Sequence, residues 1–146
     1  SLFRTKNFNE DMVRVGLASY GYVESDFLKI ELNPVLSMHL EKNSSRLIKK
    51  GHSLGYGASF TCEEDTIVSN YDFGYGAGFL RQCSNNFTTI NQEKLVGRIS
   101  MDNSSFISNK EEIVLFNNAK KIAESANTIV YEVLTSLKHN IKRVIL

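Results

Sequence analysis

The chain has 146 residues, 42% of them apolar and 23% charged, with a formal net charge of +1. That length suits one domain with a sizeable core, and the composition is that of an ordinary soluble globular protein. A charge near zero gives no general attraction to nucleic acid or to an anionic membrane, and no apolar run approaches the roughly 20 residues of a spanning helix.

Ser1 to Asp11 is polar and patternless, and no Met leads it, which reads as the cut end of a longer chain. Val13, Val15 and Leu17 then alternate with Arg14 and Gly16, as a strand would, with Arg14 on the opposite face. Pro34, the only proline, is placed at a strand entrance. Val35–Leu40 alternates, Arg46–Ile48 resumes the pattern, and Lys49-Lys50-Gly51 turns the chain. Phe60–Cys62 and Thr66–Phe73 read as further strands. Gly74–Asn86 is a long loop rich in Gly, Ser and Asn, with one helical turn expected near Phe79–Arg81. Phe87–Ile90, Lys94–Ser100, Ser105–Ile107 and Ile113–Phe116 follow at the spacing of about ten residues that a β-barrel or sandwich gives. The period then changes. Ala119–Ala126 and Ile129–Lys138 read as short helices, the first with Asn117 or Asn118 as its cap, and Lys142–Leu146 as a last strand. The fold expected is mainly β, barrel-like, with two short helices near the C-terminus.

One stretch stands out chemically. In Gly51–Phe60, Tyr56 lies between Gly55 and Gly57, with Ser53 before and Ser59 after. Glycines on both sides let backbone approach closely and favour a presented tyrosine; a half-buried strand tyrosine is the alternative. A second Gly-Tyr-Gly occurs at Gly74-Tyr75-Gly76, and a Met-Asp pair at Met101-Asp102. These three loops read as one rim with Tyr56 as its reactive group. Cys62 and Cys83 have no metal-ligand spacing, and His39, His52 and His139 are scattered, so no metal is expected and the thiols read as reduced. With no secretory pattern in these residues, a cytoplasmic location is expected. Gly74–Phe79 has a faint similarity to the aromatic strand of RNA-recognition domains. It lacks the basic lead residue and the alternation, so a nucleic-acid partner is not expected. GxxxxGK[ST] is absent.

Five stretches together resemble the C-terminal part of alanine racemases. They are Val13–Gly21, Gly51–Phe60, Phe73–Arg81, Val96–Asp102 and Thr128–Val133, in order along the chain. The family pairs an N-terminal (β/α)8 barrel, which carries pyridoxal 5'-phosphate on a lysine, with a C-terminal β domain. The lysine motif is absent here. The resemblance therefore implies that 1–22 is the end of the barrel plus a linker, that 23–146 is the C-terminal β domain, and that this piece alone is inactive. It implies that Tyr56 is a catalytic base, opposed to the cofactor lysine and reaching into the partner subunit of a homodimer. A free tyrosine has pKa about 10, so such a base needs neighbours that favour its anion. Arg14 matches the residue facing the cofactor's ring nitrogen, where a group that only donates leaves that nitrogen unprotonated. Gly16, Leu17 and Tyr131 match phosphate-binding positions, although Tyr131 also reads as a core tyrosine. Tyr75, Met101 and Asp102 match the substrate entrance, with Asp102 open to a simple pairing with Arg98. The family's Gly-Tyr-Ala-Asp-Gly is here Gly-Tyr-Gly-Ala-Gly, with Gly76 for alanine and Ala77 for aspartate. The function implied is interconversion of L- and D-alanine for peptidoglycan supply. A serine or broad-specificity racemase, or a non-catalytic β-barrel binding module, stands as the alternative.

Overall fold

The computed structural model describes residues 11–12, 14–23 and 30–145. The polar start 1–10, Val13 and Leu146, which enter the expectations above, lie outside them. Among the described residues seven strands run in chain order: β1 (Met38–Ile48), β2 (Ser53–Leu54), β3 (Phe60–Thr61), β4 (Thr66–Tyr71), β5 (Lys94–Leu95), β6 (Ser104–Ile107) and β7 (Glu112–Phe116). Two helices follow, α1 (Lys120–Ser125) and α2 (Val130–Ser136). Five strands form one antiparallel sheet in the order β5-β6-β4-β1-β7, and β2 and β3 form a separate hairpin. The expectation of a mainly β, barrel-like domain with two late helices is met by this curled half-barrel.

β1 explains the curl. Its first part, from Met38 to Glu41, pairs with β7, and its second, from Lys42 to Ile48, pairs with β4. Register shifts at Met38/His39 and at Lys42/Ser44 let the strand bend where it changes partner. Sequence alternation had suggested two strands there. They are one, because Glu41–Ser45 is polar and mostly exposed, so apolar alternation cannot mark it. The buried end of β1 meets the core: Leu40, Tyr71, Phe106, Ile113, Leu115 and Phe116 from the sheet, against Ile122 and Ala123 of α1 and Val130 and Val133 of α2. Tyr71 stands edge-on to Phe106, with ring centroids 5.7 Å apart, and its hydroxyl donates to the Lys110 carbonyl at 2.8 Å. Phe79 stacks on Phe73 and meets Phe87 edge-on. These aromatic contacts fix the irregular 74–87 segment to the sheet.

Several expected elements differ. The stretch around Arg14–Leu17 is not a strand: Arg14 and Val15 are exposed, and Leu17–Tyr20 is a 3-10 turn closed by Gly21. No strand lies beside it among the described residues, so alternation has no ladder to join. Pro34 precedes the first strand by four residues rather than opening it. Within Phe87–Ile90 only Thr88 makes a bridge, to Lys94, because the chain doubles back tightly between Thr89 and Glu93. Burial works against ionising the Glu93 carboxyl, but the bonds from Lys110 and Thr89 outweigh it and hold Glu93 below the usual carboxylate range. Residues 142–145 form no strand; the Arg143 guanidinium instead donates to the carbonyls of His139 and Lys138. The helical turn expected near Phe79–Arg81 is two 3-10 turns, Tyr75–Ala77 and Arg81–Cys83. At the start of α1, Asn118 accepts from the Lys120 N–H at 3.0 Å and the Tyr22 hydroxyl accepts from Ala119 N–H at 2.7 Å. Among the described residues no helix is long and apolar enough to cross a membrane.

Both cysteines are buried and free. Burial pushes the Cys83 thiol up from an ordinary 9.0 to about 12. A raised pKa stabilises the fold fully below the unfolded value and loses that contribution as pH rises through the folded one. Two results are expected. Cys83 resists iodoacetamide at neutral pH until denaturant is added, as intact-mass labelling would report, and the denaturation midpoint falls as pH rises above about 9. Rapid labelling of native Cys83 would contradict its burial.

Candidate functional site

The β2–β3 hairpin exists to hold a short tip. Ser53 pairs with Thr61 and Leu54 with Phe60, and their side-chain hydroxyls meet between Ser53 and Thr61 at 2.9 Å. Between the strands, Gly55 (φ +80), Gly57 (φ +69) and Ala58 (φ +50) all adopt left-handed backbone. Three such residues in four leave no room for strand geometry, and Tyr56 is turned outwards, 67% exposed. The alternative of a half-buried strand tyrosine does not describe this ring.

The tip rests on the segment Gly97–Met101. Gly55 and Gly97 meet back to back: a Cβ on Gly55 would lie 2.9 Å from the Gly97 Cα, and one on Gly97 would lie 3.2 Å from the Gly55 Cα. Gly97–Met101 belongs to no strand, so its polar backbone must find partners elsewhere. Three consecutive N–H groups are taken by side chains. Gly97 N–H donates to Asn85 Oδ1 at 2.6 Å, Arg98 N–H to Ser59 Oγ at 3.1 Å, and Ile99 N–H to Ser84 Oγ at 3.1 Å. The carbonyls at the other end go to the second Gly-Tyr-Gly: Tyr75 N–H donates to Ser100 O at 3.0 Å and Gly76 N–H to Met101 O at 2.8 Å. One short segment thus ties the Tyr56 tip to the Tyr75 turn. Tyr75 and Met101, 43% and 56% exposed, stand on the same rim. Asp102 is exposed in the turn that Ser100 and Asn103 close; no ion pair joins it to Arg98 among the described residues. Ala77 packs against the core, and its carbonyl accepts from Lys138 N–H at 3.2 Å.

An open cleft of about 660 Å³ runs from Tyr56 and Arg98 across the sheet to Ser44, Asn70, Asn103 and Ser105. Its floor is polar and neutral, and it is bonded to itself. Ser105 Oγ donates to Asn70 Oδ1 at 2.6 Å, Asn70 Nδ2 to Ser44 Oγ at 3.4 Å, and Asn43 Nδ2 to Asn103 Oδ1 at 2.7 Å.

A second group of predicted residues gathers at the start of α2. Leu17 N–H donates to the Tyr131 hydroxyl at 3.3 Å, and a Cβ on Gly16 would lie 3.1 Å from that oxygen. Gly16, Leu17 and Tyr131, far apart in sequence (114 residues from Leu17 to Tyr131), therefore form one small cradle in which the Leu17 N–H holds the Tyr131 oxygen and the Tyr131 O–H is left to donate. Tyr131 is 49% exposed and not a core residue. Arg14 lies exposed two residues before Gly16. The far end of α2 touches the rim, where Ser136 Oγ donates to the Gly78 carbonyl at 2.8 Å. No hydrogen bond or ion pair among the described residues joins the Tyr131 cradle to Tyr56; the structure holds them as two separate groups. Sequence reasoning missed Asn85, Ser84 and the Ser/Asn floor of the cleft, and named Arg98 only as a pairing partner for Asp102. Asn85, at φ +60, carried only the weak signal of an Asn pair in a loop.

A family model described as alanine racemase, C-terminal domain, matches residues 35–145. The alanine racemase of Campylobacter curvus is 39% identical over 144 residues, which are 98% of this chain and 42% of the relative. That of Nitratiruptor is 40% identical over 145 residues, again 98% of this chain and 42% of the relative. The chain thus spans about two fifths of the length of the curated relatives it matches. Among solved structures, the alanine racemase of Bacillus anthracis with bound L-Ala-P superposes with TM-score 0.83 at 25% identity, covering 94% of this chain and 40% of that one. That of Bartonella henselae, with covalently bound pyridoxal phosphate, gives 0.80 at 29% identity, covering 88% of this chain and 40% of that one.

Proposed function

The chain belongs to the alanine racemase family as its C-terminal domain, and from that premise we propose that it is the tyrosine-bearing part of an enzyme that interconverts L- and D-alanine. In this reading 1–22 is the end of a barrel domain and linker, and 23–146 is the β domain. The enzyme is a cytoplasmic homodimer that supplies D-alanine to peptidoglycan. The observation that carries the reading is Tyr56 itself, held outwards on a tip whose backbone admits no strand.

Racemisation needs a proton removed from one face of Cα and another delivered to the opposite face. A tyrosine hydroxyl and a lysine amine on opposite faces meet that need, each able to hold or release one proton. Tyr56 supplies the first to the partner subunit's site; the lysine belongs to the barrel. Tyr75 and Met101 bound the entrance beside it, where the Met101 N–H suits a substrate carboxylate. Asp102, on the same turn, sets the charge that an entering amino acid meets.

The residues present suit pyridoxal 5'-phosphate. In the Gly16–Leu17–Tyr131 cradle the Leu17 N–H holds the Tyr131 oxygen, so the Tyr131 O–H would be turned to a phosphate, and the space that a Gly16 side chain would fill is left open. Arg14 would face the ring nitrogen as a donor. When bound, the cofactor supplies an electron-withdrawing ring that makes the Cα proton easier to remove.

The test is direct. The full-length protein, loaded with cofactor, is expected to racemise L-alanine faster than L-serine or L-lysine. Residues 1–146 alone are expected to show no cofactor-dependent exchange of the alanine Cα proton, because one of the two bases is absent. Exchange by the piece alone would overturn the division of labour. A preference for serine or lysine would move the substrate assignment to a broader racemase.

A further inference from the structure

We propose that Asn85 is a positioning residue for Tyr56, and that its carboxamide sets where the tyrosine hydroxyl arrives in the active site. The proposal rests on the reading of Tyr56 as a base.

Asn85 is the one side chain among the described residues bonded to both halves of the tip's support. Its Nδ2 donates to the carbonyl of Ser59, which follows the tip, at 3.0 Å. Its Oδ1 accepts from the N–H of Gly97, on which the tip rests, at 2.6 Å. The orientation of the amide is forced, since a carbonyl needs a donor and an N–H needs an acceptor. The next bond in the series, Arg98 N–H to Ser59 Oγ at 3.1 Å, closes the ring. Hairpin, loop and support segment are joined through these three links, and Tyr56 projects from one side of them.

The two-residue strands β2 and β3 cannot fix the tip alone, because so short a ladder resists rotation poorly. Asn85 also adopts φ +60, a conformation that asparagine tolerates better than most residues. The backbone strain and the paired bonds occur at one residue, and both point its amide into the gap between Ser59 and Gly97. A tilt of the tip would carry the hydroxyl away from the reacting carbon, and a displacement of about 1 Å can cost about 10²-fold in rate.

Two variants in the full-length, cofactor-loaded enzyme test this. Asn85→Gly removes both bonds while suiting the left-handed backbone. Asn85→Asp keeps an acceptor for Gly97 but sets a carboxylate oxygen against the Ser59 carbonyl. Each is read by solvent-deuterium exchange at Cα, measured separately from L- and D-alanine, beside the bound-cofactor absorbance and the melting temperature. The expected result is a loss of about 10- to 100-fold in exchange for the enantiomer that depends on Tyr56. Exchange for the other enantiomer and cofactor absorbance stay near the parent's. Asn85→Asp is expected to lose as much or somewhat less. A purely structural role would lower both exchanges together, and that outcome, or no change in either, overturns the proposal. Tyr56→Phe run alongside separates the two levels. If it leaves exchange symmetric, the reading of Tyr56 fails. If it does not, and the Asn85 variants exchange like the parent, only the positioning role fails.

Discussion

Tyr56→Phe in the full-length enzyme is expected to slow alanine racemisation by about 10²–10⁴-fold, the usual range for a general acid or base. The fall must be the same in both directions as kcat/KM. The enantiomers have equal free energy, so the ratio of the two values is fixed at one whatever the catalyst. Direction therefore cannot reveal which face the tyrosine serves, but exchange can. With the phenol oxygen gone, Cα exchange should persist for the enantiomer whose proton the lysine takes and collapse for the other. Phenylalanine keeps the ring and its exposure, and the tip owes its shape to Gly55, Gly57 and Ala58, so the fold should be indifferent. A melting temperature within about 2 °C of the parent would show that, as expected for an exposed position. Equal loss of exchange for both enantiomers would count against a two-base mechanism.

How much of this was legible beforehand depends on where each residue's partners lie. Tyr56 could be read because its constraint is local: two flanking glycines already argue for a tip. The late helices could be read because Ile122, Val130 and Val133 bury one face at helical spacing. β1 was split in two because its middle is held by backbone ladders to β4 and β7, which leave no apolar trace. The alternation that ends at Leu17 looked like a strand because alternation says nothing about whether a neighbouring strand exists; Leu17 instead opens a 3-10 turn. Asn85 was invisible for a related reason. Its meaning lies in a carbonyl 26 residues earlier and an N–H 12 residues later, and no window of sequence contains both. The cradle is the opposite case. Gly16 and Tyr131 were named from a resemblance, and no periodicity could have brought together residues so far apart.

Gly74→Ala is expected to destabilise the domain strongly. Gly74 has φ −129 and ψ −171, extended backbone open to any residue, so conformation does not demand glycine there. Space does. An added Cβ would lie 2.3 Å from the Met101 carbonyl oxygen and 2.4 Å from that of Ser100. Both atoms are backbone, and neither can swing aside. The same two carbonyls accept from Gly76 and Tyr75 N–H, so relieving the clash pulls those bonds apart. Overpacking of about 1–3 kcal/mol and two weakened bonds at about 0.5–1.5 kcal/mol each together predict a loss of roughly 2–6 kcal/mol. Gly76→Ala, whose Cβ would meet the Met101 oxygen at 2.9 Å, should cost less. That order, read by denaturant titration, checks the packing; Gly74→Ala melting like the parent would mean the rim yields easily. The functional consequence reaches further than the rim. Gly97–Met101 carries the Tyr75 turn on its carbonyls and the Tyr56 tip on its N–H groups. A push at Ser100 and Met101 should therefore raise the KM for alanine at the entrance and also lower kcat at the base. A change in KM alone would show that the two ends of the segment move independently.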